Sequence, residues 1–169
     1  MKKIFLIGMP GSGKSYWCGR LAKKLKTNAY DLDKLIESLK DDSIRNLFES
    51  EGEEYFRRTE AKLLRWFAEK KDFVLATGGG TPCFHDNMPW MNKQGVTIWI
   101  DVPVNILAER LQTLKAERPL LSTVADEQLE HHLEALLETR KAFYQQAQHR
   151  LSSQEISEKK LTELLQTHA

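Results

Sequence analysis

The stretch Gly8-Met9-Pro10-Gly11-Ser12-Gly13-Lys14-Ser15 decides how the rest of the chain is read. It fits G-x-x-x-x-G-K-[ST] without a gap, the pattern of a loop that holds nucleotide phosphates. The residue types follow from that task. Glycines let the backbone turn tightly and bring its N–H groups up to phosphate oxygens with no Cβ in the way. The Lys14 ammonium can reach the β- and γ-phosphates, and the Ser15 hydroxyl can ligate Mg²⁺. The flanks supply the setting such a loop needs. Residues 3–7, Lys-Ile-Phe-Leu-Ile, are an apolar run of strand length. Residues 16–25 carry Trp17, Leu21 and Leu25 at intervals of four with basic residues between, an amphipathic helix. That helix adds its positive N-terminal end to the anion site.

Length and composition bound the rest. The 169 residues suit one domain able to bury a core without staples. A net charge of +1 gives no support for non-specific nucleic-acid binding, so any basic cluster must be local. Cys18 and Cys83 form no C-x-x-C pair and have no histidine spaced to complete a zinc site. They read as two reduced thiols. Only five apolar residues precede the glycine loop, too few for a signal-peptide core, and no run approaches membrane-spanning length. A cytoplasmic protein is the expectation.

Along the chain, strands and helices alternate. Residues 28–33 read as a second strand ending in Asp31 and Asp33, which point the same way if the backbone is extended. One could contact Mg²⁺, directly or through water, and the other could orient or deprotonate an acceptor hydroxyl. Asp33 could equally cap a helix over 34–40. Residues 43–71 are helical in pattern with a break at Glu51-Gly52-Glu53. Arg57, Arg58 and Glu60 lie in the second of these helices, where Arg57 and Glu60 could also be an ordinary i,i+3 pair on a solvated face. Residues 72–77 form a buried parallel strand that stops at Gly78-Gly79-Gly80, three glycines that make sense where a ligand lies against bare backbone. A short helix over 86–92, a strand over 96–101 and a helix over 104–114 follow. Arg118 then begins an Arg-Pro-Leu-Leu loop, where it could swing over phosphates or simply be exposed. A long helix over 126–148 carries Arg140, with Tyr144 in its buried stripe. Residues 151–154 are a strand or loop, and 157–165 a terminal helix. The order implies a three-layer α/β/α fold with a central parallel sheet.

Taken together, these windows resemble the shikimate kinases, within the nucleoside-monophosphate-kinase-like P-loop fold. The resemblance spans nearly the full length. It rests on the P-loop, Asp31-Leu32-Asp33, Gly52-Glu53 with Phe56-Arg57-Arg58-Thr59-Glu60, Gly78-Gly79-Gly80, Arg118-Pro119-Leu120-Leu121 and the late helical Arg140. It implies transfer of the ATP γ-phosphoryl to the 3-hydroxyl of shikimate, in aromatic amino-acid biosynthesis. Lys14, Asp33 and Arg118 are the implied catalytic residues. Gly11, Ser12, Gly13, Lys14, Ser15, Tyr16, Arg110 and Arg118 would bind ATP, with residues 152–155 near the adenine. Asp33, Arg57, Gly79 and Arg140 would bind shikimate, and Ser15 and Asp31 would hold Mg²⁺. One domain over 1–169 is expected, with an acceptor-binding helical segment at 33–60 and a lid at 112–125, acting as a monomer without nucleic-acid or membrane partners. Two flanking positions depart from the family pattern: Thr81-Pro82-Cys83 after the triple glycine, and Lys40-Asp41-Asp42, which lacks a glycine before Ser43-Ile44. A gluconate kinase would share the fold but not need this motif set. A GTP switch would need an N-K-x-D motif, which is missing.

Overall fold

In the computed structural model, residues 2–112 and 126–167 are described. Five strands make one parallel sheet in the order β2-β3-β1-β4-β5. They are β1 (Lys3–Ile7), β2 (Asn28–Asp31), β3 (Phe73–Ala76), β4 (Val96–Asp101) and β5 (His149–Ser152). The three inner strands are apolar runs buried along almost their whole length. Side chains alternate between the faces of a strand, so burial at every position requires helices on both faces. Those helices are α1 (Lys14–Leu25), α2 (Leu32–Lys40), α3 (Ile44–Glu51), α4 (Glu53–Trp66), α5 (Asn87–Gln94), α6 (Val104–Gln112), α7 (Leu129–Tyr144) and α8 (Glu158–Gln166). Short 3₁₀ turns at Phe67–Glu69, Thr81–Cys83 and Asp126–Gln128 complete the described elements. The three-layer fold expected from the sequence is the fold observed.

The parallel order puts all strand C-terminal ends on one edge of the sheet, where ligands of open α/β sheets bind. The P-loop leaves β1 at Gly8 and the triple glycine leaves β3 at Thr77. Thr77 anchors that exit through its backbone N–H and its hydroxyl, both donating to Leu6 O at 3.1 and 3.0 Å.

Several local expectations are corrected. Asp31 and Asp33 do not share a strand: β2 ends at Asp31, and Asp33 lies in the first turn of α2. The cap of α2 is Asp31, whose Oδ1 accepts from Lys34 N at 3.2 Å, so Asp33 is not the cap. The long helix breaks into a 3₁₀ turn and α7, which ends at Tyr144. The chain then forms β5, which sequence reading placed two residues late. As an edge strand with only Leu151 buried, β5 lacks the apolar run that marks the inner strands. The part of the helix at 104–114 beyond Gln112 and residues 113–125 of the lid, Arg118 among them, lie outside the described residues.

Candidate active site

Gly8 and Gly13 show why the loop needs glycine. Both have positive φ, +149° and +94°, and a Cβ on Gly8 would stand 2.7 Å from Ile100 O. Gly13 precedes α1, which has no side-chain cap and no acidic residue in its first turn. Its leading N–H groups and positive dipole end are thus left for an anion. Lys14 is buried, with Nζ donating to Gly8 O at 2.8 Å and Met9 O at 2.9 Å, so its ammonium is folded back over the loop. Arg110 from α6 donates to Gly11 O at 2.9 Å, across 99 residues of sequence.

Next to the loop, the Ser15 hydroxyl donates to Asp31 Oδ2 at 2.6 Å. The pair joins the first turn of α1 to the end of β2. Mg²⁺ favours hard oxygen donors and is typically held by one or two protein groups, the remainder being water and phosphate oxygens. A hydroxyl and a carboxylate this close fit that requirement. No cluster of three or more His, Cys, Asp or Glu suited to a metal occurs among the described residues.

Beyond the loop, the three glycines serve as clearance for side chains, since none of them has positive φ. A Cβ on Gly78 would meet Asp33 Oδ1 at 3.0 Å. One on Gly79 would meet Arg140 Nη1 at 2.8 Å and Pro10 Cδ at 2.9 Å, and one on Gly80 would meet Arg57 Cζ at 2.8 Å. Successive glycines thus lie against a carboxylate and two guanidinium groups drawn from α2, α7 and α4.

Arg57 and Glu60 do pair, but not on a solvated face. Both are buried, with Arg57 Nη1 donating to Glu60 Oε1 at 3.0 Å, and Glu53 also accepts from Arg57. Glu60 Oε2 takes a second bond from the Thr81 hydroxyl at 2.7 Å, and Asn87 Nδ2 donates to Thr81 O at 2.9 Å. The Phe84 ring lies 4.4 Å from the Arg57 guanidinium, a cation–π contact. Thr81 therefore braces the carboxylate that orients Arg57.

The loop from Pro10 to Tyr16, Asp31, Asp33, Arg57, the three glycines, Arg110 and Arg140 line one cleft of about 1010 Å³, with Glu60 and Thr81 behind its wall. Pro10 to Tyr16, Asp31 and Arg110 are at one end; Asp33, Arg57, Gly79 and Arg140 are at the other; Ser153 and Ile156, after β5, also border it. Ser12 Oγ and Arg140 Nη1 are buried without a hydrogen-bond partner, and both belong to residues of this cleft. Buried polar atoms are rarely left unpaired. Two such atoms, one near each end, mark the cleft as built for polar ligands.

Sequence reading thus found most of the cleft, Arg118 lying outside the described residues. It missed the supporting roles of Thr81, Phe84 and Tyr144. A tyrosine in an otherwise apolar stripe is a faint signal, since a buried phenol needs a hydrogen-bond partner.

The fold and cleft define a class: an α/β P-loop kinase for a small molecule. The family profile described as shikimate kinase matches residues 10–169. The chain is 41% identical over 160 residues to a shikimate kinase of Phocaeicola vulgatus, covering 95% of this chain and 91% of that one. It superimposes on the crystal structure of shikimate kinase from Bacteroides thetaiotaomicron with a TM-score of 0.90, 36% identity and 98% coverage of both chains. Against the Acinetobacter baumannii shikimate kinase in complex with shikimate the TM-score is 0.88 at 30% identity, covering 99% of this chain and 92% of that one. The chain belongs to the shikimate kinase family.

Proposed function

We propose that this chain transfers the γ-phosphoryl of ATP to the 3-hydroxyl of shikimate, giving shikimate 3-phosphate and ADP on the route to aromatic amino acids. The observation that carries this reading is the two-ended cleft, with a phosphate loop at one end and two arginines packed against successive glycines at the other. Phosphoryl transfer is chiefly positioning and charge neutralisation. At the donor end, the loop N–H groups from Gly11 to Ser15 and the dipole of α1 hold the phosphates. Lys14 leaves its carbonyl partners to meet them, and Tyr16 and Arg110 flank the nucleotide. Ser15 and Asp31 would hold Mg²⁺, which when bound neutralises charge on the phosphate oxygens. At the acceptor end, Arg57 and Arg140 suit a carboxylate, because planar guanidinium groups bind it in a bidentate fork. Asp33, against Gly78, accepts the proton side of the reacting hydroxyl, and Gly79 presents backbone to the ring. Arg118 contacts the transferring phosphoryl, in keeping with its position in the Arg-Pro-Leu-Leu stretch.

We read the chain as one catalytic domain, with residues 33–60 as its acceptor-binding segment and 112–125 as its lid. A monomer suits the surface: the exposed large apolar side chains among the described residues are Tyr16, Leu39, Trp66 and Phe84, borne on four separate segments. The free thiols Cys18 and Cys83 suit a reducing cytoplasm. No described helix is long and apolar enough to cross a membrane.

ADP release should depend on shikimate and be absent with gluconate or without an acceptor, measured in a coupled assay with Mg²⁺ and ATP. Release with gluconate, or release indifferent to the acceptor, would overturn the reading.

A further inference from the structure

Tyr144 closes α7, four residues after Arg140 and on the same helical face. Its side chain is fully buried, and its ring packs beside Trp99 of β4 at 5.6 Å between centroids. Tyrosine at such a place needs a partner for its hydroxyl, and phenylalanine would fill the same space without that need. The partner lies 65 residues away: the Tyr144 hydroxyl donates to Gly79 O at 2.6 Å. Gly79 is also the residue whose missing Cβ leaves room for Arg140 Nη1. Arg140, one helical turn before Tyr144, therefore lies against the same glycine that the phenol bonds. One buried phenol thus holds one of the four groups assigned to the acceptor, and that group is the seat of a second.

We propose that Tyr144 is a positioning residue for shikimate, locking the Gly79 peptide and the Arg140 guanidinium into one frame. The proposal rests on the reading of this cleft as the shikimate site. Gly79 has no side chain to fix its peptide plane, so the plane is set by what its carbonyl bonds. With the carbonyl held by Tyr144, the peptide cannot rotate, and the backbone offered to the acceptor stays at a fixed height below Arg140. Burial also raises the phenol well above its ordinary pKa, so the hydroxyl stays protonated and able to donate. Tyr144 touches neither substrate nor reacting atoms, and its effect is confined to the acceptor end.

Tyr144→Phe removes only the hydroxyl. Steady-state kinetics should show the shikimate KM rising about tenfold, with the ATP KM within about twofold of the parent. Site-specific 4-aminophenylalanine restores a para donor and should bring the shikimate KM back to within about threefold. An unchanged shikimate KM in folded Tyr144→Phe, an equal rise in both KM values, no rescue by 4-aminophenylalanine, or loss of folding in both variants would overturn the proposal. The parent enzyme, run alongside, separates this from the functional reading: shikimate-dependent ADP release in the parent with a flat Tyr144→Phe result removes the inference alone.

Discussion

The two ends of the cleft are built by opposite means. The donor end is centred on eight consecutive residues, Gly8 to Ser15, and its shape follows from glycines at positive φ and the start of one helix. The acceptor end is assembled from side chains on α2, α4 and α7, set against a loop after β3. On the proposed function, the difference reflects the ligands. Phosphate is a common, charged group that backbone amides can bind. A ring bearing a carboxylate and hydroxyls needs planar cations and an acceptor at fixed mutual positions, which no short peptide supplies. The acceptor end consequently needs bracing: Arg57 by Glu60 and Thr81, and Gly79 by Tyr144.

The sharpest test of this division is Lys14→Met. It should lower kcat by about 10³-fold, since charge on the transferring group goes uncompensated. Shikimate affinity, followed by tryptophan fluorescence, should stay within about twofold. Equal loss of shikimate affinity would break the division. The next effect belongs to the glycines. Gly80→Ala would press its Cβ on the Arg57 guanidinium, which Glu53 and Glu60 hold in place. The shikimate KM should rise by about 30-fold with little change in the ATP KM. Gly79→Ala would meet both Arg140 and the rigid Pro10 ring of the P-loop. It should raise both KM values, because this is where the two ends touch. Selective loss of shikimate affinity in Gly79→Ala would show instead that Pro10 yields.

The smallest effect is on stability. The Cys18 thiol, buried on α1, lies within donating distance of Val74 O of β3 and Tyr30 O of β2. Burial pushes its pKa from 9.0 up to about 11. Between these values the folded chain keeps a proton that the unfolded chain has lost, so stability falls as pH rises through this window, in all by about 2–3 kcal/mol. Urea unfolding on both sides of the window should show the fall, and Cys18→Ala should make it shallower. Cys83 and Tyr144, also raised by burial, account for the remaining slope. An unaltered slope in Cys18→Ala would place the thiol outside this linkage.

How much was legible follows the same division. Strand, P-loop and helix could be read from adjacent residues because their physics is local, and the inner strands announced themselves as apolar runs. Boundaries set by tertiary contact were not readable. The edge strand β5 exists through pairing with β4 rather than through its own composition. Arg57 and Glu60 have the spacing of a commonplace surface pair, and their burial comes only from what packs around α4.

The sequence by itself determined the phosphate loop, the inner strands and the α/β class, since each depends on residues near one another in the chain. Only the tertiary structure decided that Asp33, Arg57 and Arg140 meet at three successive glycines, and that Tyr144 ties one of those glycines down. Those contacts span up to 65 residues between Gly79 and Tyr144, a separation at which local pattern carries no information about distance.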